Sequence, residues 1–81
     1  MRIECDGPAD APEALYDRGL SYCVGNDVPV DYVAAHMWFN LAAVRGSQAA
    51  RERRAELAQD MRPDQIAEAQ RQAREWLVTR H

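Results

Sequence analysis

Few residues in this chain have the means to do chemistry: His36, the thiols of Cys5 and Cys23, His81, and the arginines Arg51, Arg53 and Arg54. His36 stands in the stretch VDYVAAHMWFNLAAVRG, residues 30–46. An imidazole becomes an acid, base or metal ligand only beside a partner, and a helical metal pair places its second ligand four residues away. Those positions hold Tyr32 and Asn40, so His36 is expected to be a surface histidine. Cys5, Cys23 and His81 show no ligand spacing, which leaves an incidental thiol at Cys5 and a buried free one at Cys23. No metal and no cofactor are expected.

The arginine cluster offers phosphate contacts to RNA or DNA, but Glu52 and Glu56 interleave it and dilute its field. A solvated helix face is the expected reading, and a nucleic-acid binder is the alternative. The net charge of −3 gives no general attraction to polyanions. There is no glycine-rich phosphate loop, no nucleophile beside a base and no carboxylate pair in a recognisable cleft. A non-enzyme is expected.

These side chains must be positioned by helices. At 81 residues the chain is one small domain, 47% apolar and 28% charged, with four Gly and four Pro. Such a chain buries only about 60% of its unfolded surface, so each large apolar residue counts and a partner is a natural expectation. Every cation is arginine. No window nears the ~18 apolar residues of a membrane span, the opening MRIECDGPAD has no leader-like apolar run, and two cysteines make no secreted disulfide framework. A cytoplasmic protein without membrane contact is expected.

Residues 1–10 read as an N-terminal tail, with Asp10 as the cap of a first helix that begins near Ala11 and Pro12 and runs to about Val24. Its apolar residues span an arc of roughly 160°, wider than one neighbour requires. Gly25 suits a left-handed helix end, Pro29 prevents continuation, and Asp31 caps the second helix, Tyr32–Arg45. That helix is apolar nearly all round, the mark of a central, buried element. One face carries Ala35, Trp38, Phe39, Ala42 and Ala43; the other carries Val33, Met37, Leu41 and Val44. Gly46 ends it and Ser47 caps a third helix, to about Asp60, with a thin stripe of Ala50, Leu57, Ala58 and Met61. Pro63 and Asp64 open a fourth, on which Ile66, Ala69, Ala73, Trp76 and Leu77 recur at helical spacing. No segment alternates with period two, so the fold class is all-α.

The first two helices carry Ala14, Gly19, Tyr22, Gly25, Val28, Asp31, Ala35, Trp38, Ala42, Ala43 and Gly46 at fixed spacing. Residues 11–46 thereby resemble a Sel-one-like repeat, a relative of the tetratricopeptide repeat. Independently of the family, Gly19 and the alanines permit close approach of two backbones, and Tyr22, Trp38 and Phe39 fill the space beside it. The pattern departs in two places: Arg18 stands where the family has Leu, and Asp27 where it has a second Gly.

The resemblance implies a four-helix tetratricopeptide-like α/α architecture, with one repeat at 11–46 and a C-terminal helical pair, a partial repeat and cap, at 47–81. The latter resembles tails that follow such repeats in bacterial proteins. It implies a protein-binding scaffold or adaptor whose partner is another protein or peptide, contacted through Tyr16, Leu20 and Cys23 with Glu13 and Asp17 at the rim. The competing expectation is that the fourth helix covers this edge. Val33, Met37, Leu41 and Val44 form a second spare face, expected to meet the fourth helix or a second copy in a homodimer. A regulatory subunit of an enzyme is a further alternative.

Overall fold

The computed structural model describes residues 11–79. Four α-helices account for the regular structure: α1 Pro12–Val24, α2 Tyr32–Val44, α3 Gln48–Ala58 and α4 Pro63–Thr79. Among the described residues there is no strand, so the all-α expectation holds. No helix is long and apolar enough to cross a membrane.

Each boundary has a local cause. Pro12 opens α1, whose N-cap is Ala11 without a side-chain bond, not Asp10, which lies outside the described residues. Gly25 closes α1 at φ +78°, and its N–H and that of Asn26 both reach the Ser21 carbonyl, at 2.8 and 2.9 Å. Asp27 adopts φ +67°, a left-handed conformation that Asp tolerates better than most residues. Asp31 accepts from the Ala34 N–H at 3.1 Å and Ser47 from the Ala50 N–H at 3.0 Å, capping α2 and α3. Arg62 donates its N–H to the Gln65 side chain at 2.9 Å, just ahead of Pro63, one half of a capping box.

The arrangement is a hub. α2 packs substantially against α1, α3 and α4, whereas no other pair of helices has an extensive contact. Its residues Ala35, Phe39, Leu41 and Ala42 are fully buried, as its all-round apolarity predicts. On α3 only Ala50 and Leu57 are buried, with Met61 following in the turn, which keeps the rest of that helix on the surface.

The α1/α2 seam rests on one contact. A Cβ placed on Gly19 would lie 2.5 Å from two ring carbons of Phe39, so the helices approach as they do because Gly19 has no side chain. Tyr16, one turn earlier, tilts against the same ring at 5.6 Å. Trp38 departs from the expected packing: it leaves this seam and meets Trp76 of α4 edge-on at 6.0 Å. Arg18 of α1 lies with its guanidinium carbon 5.0 Å from the centre of a Trp38 ring, a cation on an aromatic face.

The second spare face is largely internal, the first of the two roles expected of it. Leu41 is fully buried, and Val33 and Met37 are half-buried against the core that also holds Ala73, Trp76 and Leu77 of α4. Only Val44 stays exposed.

His36 also corrects the sequence reading. Instead of a surface position it is 2% exposed, in the helix that carries Asn40 one turn on. Arg54 Nη1 of α3 donates to Asn40 Oδ1 at 2.6 Å. The His36 Nδ1 has no hydrogen-bond partner. Burial, and then the nearby Arg54 charge, push the imidazole pKa below its ordinary 6.5. The reason for the difference is that α2 is ringed by neighbours, so even a polar position on it is covered.

Two stability outcomes follow. Gly19→Ala gains about 0.5–1 kcal/mol of helix propensity but drives a methyl into a buried ring, where overpacking costs about 1–3 kcal/mol. The expected sum is a net loss of about 1–2 kcal/mol in urea unfolding. In a double-mutant cycle Phe39→Leu should recover part of it, and strict additivity would deny the contact. For His36 the folded pKa is depressed, so the unfolded chain binds more protons once pH falls below 6.5. Stability is therefore full above that value, declines as pH falls through it, and levels off below the folded pKa. His36→Leu should flatten this decline in urea midpoints taken across the window; an unchanged slope would assign it to another group.

Candidate functional site

α1 and α3 both lean on α2 without packing extensively on one another, and the space between them is a groove. Three clefts make it up. The first, over α2, is lined by Cys23, Tyr32, Phe39, Arg53, Glu56, Leu57 and Asp60. The second lies between Tyr16 of α1 and Ala49, Glu52, Arg53 and Glu56 of α3. The third continues past Tyr16 and Ala49 to Pro12, Glu13, Asp17, Gly46 and Ser47. Arg53 and Glu56 are common to the first two, and Tyr16 and Ala49 to the last two. The clefts thus follow one another along the α1/α3 interval, sharing lining residues, and none of them is lined by a residue of α4.

The floor of the first cleft is apolar and aromatic: Phe39 underlies it, fully buried, with Leu57 nearly so, and Cys23 and Tyr32 line its sides. Tyr16 borders the other two clefts, where the lining from α3 is mostly polar. The rims of the groove are charged. Arg53 projects into the channel and donates from Nε to the Tyr16 hydroxyl at 3.3 Å. That hydrogen bond is the main cause of the rise of the guanidinium pKa above its ordinary value. The bond ties the α3 rim to α1 and turns the Tyr16 ring onto Phe39.

The sequence-predicted residues divide. Glu13, Tyr16, Asp17 and Cys23 all line the groove. Leu20 borders none of these three clefts and is half-buried, packed against the core. The fourth helix does not cover this edge; it packs on α2 instead. Cys23 is a free, half-exposed thiol in place of the buried one expected. Cys5 and His81 lie outside the described residues.

Sequence reasoning misses the α3 half of the groove. Ala49, Glu52, Arg53, Glu56 and Leu57 share one face by their spacing, but they read as the solvated side of a surface helix until α1 is placed opposite. Tyr32, expected at the margin of a core face, instead reaches the groove. The arginine cluster dissolves: Arg53 turns to Tyr16 in the groove and Arg54 to Asn40 of α2, leaving Arg51 exposed elsewhere on the helix.

As chemistry, the site offers recognition more readily than reaction. The three clefts hold about 170, 380 and 330 Å³, the first below and the other two at the lower end of the roughly 300–1,000 Å³ of small-molecule pockets. Among the described residues no three histidine, cysteine or carboxylate groups are placed to hold a metal ion. His36, the one described imidazole, is shut away from the groove's surface by burial. No family model matches this chain, and neither does any curated protein or solved structure.

Proposed function

We propose that the chain is a small, non-enzymatic interaction module of the cytoplasm, built like one Sel-one-like repeat with a C-terminal helical pair, and that it docks a peptide segment of another protein in the α1/α3 groove. One observation carries the reading: a row of neighbouring clefts, one of them with an aromatic floor, is left uncovered between two helices that share a third as their support. A segment lying in it would bury apolar side chains over Phe39 and Leu57 and meet polar groups along both rims, the usual anatomy of a protein interface. The tetratricopeptide-like form is supported by family landmarks that each have a physical task here. Gly19 admits the Phe39 ring, Gly25 takes the left-handed helix end, and Asp31 caps α2. The nucleic-acid alternative loses its main support, since two of its three arginines are engaged within the chain.

Ala49 is exposed and borders two of the three clefts, so Ala49→Trp would fill the channel without touching the core. Short peptides selected from a random displayed library on the full chain should bind the Ala49→Trp variant at least about tenfold more weakly, the scale of one well-placed contact. Circular dichroism checks that the variant remains helical. Equal binding to both proteins would move the docking site elsewhere.

A further inference from the structure

The groove is strongly asymmetric in charge. Glu13, Asp17, Glu52, Glu56 and Asp60 line it, against the single cation Arg53. All five carboxylate residues are exposed or half-exposed, and none of them forms an ion pair within 4.0 Å among the described residues. Carboxylates elsewhere are differently placed. Asp64 pairs with Arg62 at 3.0 Å, and Arg71 sits between Glu68 and Glu75 and draws the Glu68 pKa down to about 2. Asp31 is occupied in capping α2. Five carboxylates against one guanidinium make the groove lining net negative, in a chain whose overall charge is −3.

From this juxtaposition of an apolar floor with rims of unpaired carboxylates, we propose that the groove's occupant is a cationic peptide segment, with arginine or lysine side chains alternating with apolar ones. The inference rests on the docking role proposed above and names the partner's chemistry. Apolar side chains would enter between Tyr16 and Tyr32 over Phe39. Basic side chains at intervening positions would reach Glu52, Glu56 and Asp60 on the α3 rim. Arginine stems cover apolar surface while their heads stay hydrated, and a guanidinium meets a carboxylate in a planar fork. Rim charges of one sign also raise encounter rates with a partner of the opposite sign and reject like-charged competitors. Arg53 keeps its positive charge while donating to the neutral Tyr16 hydroxyl, so the ligand's basic side chains would be placed away from it.

The test uses the full chain and the same random displayed library. Selected peptides should be enriched at least about twofold in arginine and lysine over the input. Their affinity should fall roughly tenfold in the variant Glu52→Gln/Glu56→Gln/Asp60→Asn, as expected for a few exposed charge pairs acting together. It should weaken further as salt is raised. If peptides blocked by Ala49→Trp show no basic enrichment and ignore the carboxylate substitutions, the groove docks peptides but the cationic inference is overturned. If Ala49→Trp blocks nothing, the docking role itself fails and the inference with it. A concentration-dependent dimer in solution, dissolved by the same three substitutions, would assign the groove to a second copy of this chain and overturn the proposal.

Discussion

The seat of the Phe39 ring on the bare backbone of Gly19 sets the distance between α1 and α2, and much of the molecule depends on that distance. A ring 2.5 Å from where a methyl would stand leaves no slack: the two helices are as close as an aromatic edge allows. Tyr16 leans on the same ring, and its hydroxyl then meets Arg53 of α3. A chain of contacts thus runs from a missing side chain, through two aromatic rings, to the opposite wall of the groove. Interiors are packed too tightly for such a contact to be adjusted independently of its neighbours. The width of the groove is therefore governed partly by a residue that does not line it.

The groove itself follows from the hub topology. α2 offers apolar side chains around its whole circumference and can be satisfied only by several neighbours. In so short a chain each remaining helix takes one sector of α2 and has little surface left for the others. Where α3 and α4 adjoin α2, Leu41, Ala73 and the Trp38–Trp76 pair close the core. Between α1 and α3, by contrast, only the Tyr16 ring leans over Phe39 and meets Arg53, and clefts remain beside that bridge. Repeat proteins cover such open flanks by stacking further units. Here the α4 indole of Trp76, braced on Trp38, takes that covering role on one side alone.

The four helices were legible because their punctuation is explicit: Pro12, Gly25, Asp31, Ser47 and Pro63 each sit where a helix starts or stops and act by local backbone chemistry. The central place of α2 was legible for a similar reason, since a helix with apolar side chains on every side must be enclosed by its neighbours. Which side chains meet across helices was only partly legible. Trp38 and Phe39 are adjacent, about 100° apart on the wheel, and nothing local determines that one turns to α1 and the other to α4. His36 illustrates the same limit, for its burial is decided by the helices packed around α2 rather than by its own surroundings in sequence. The α1 edge of the groove was found through Glu13, Tyr16, Asp17 and Cys23, whereas Leu20, on the same arc, rotates far enough to join the core.

The charges of α3 and α4 obey different logics, and the contrast bears on why the groove looks as it does. On α4, Glu68, Arg71 and Glu75 alternate in sign at spacings of three and four, and each neighbouring pair is engaged. That is the arrangement which supports an exposed helix. On α3, Glu52 and Glu56 stand one turn apart with the same sign, and Asp60 extends the series by another turn just past the helix end. Like charges at this spacing disfavour the helix that bears them. The single cation that lines the groove beside them, Arg53, is turned to a neutral hydroxyl across it. Helix stability accounts for the charges of α4, whereas on α3 the repulsion of Glu52 and Glu56 is offset only in part by Arg53, one turn before Glu56 and attracted to it.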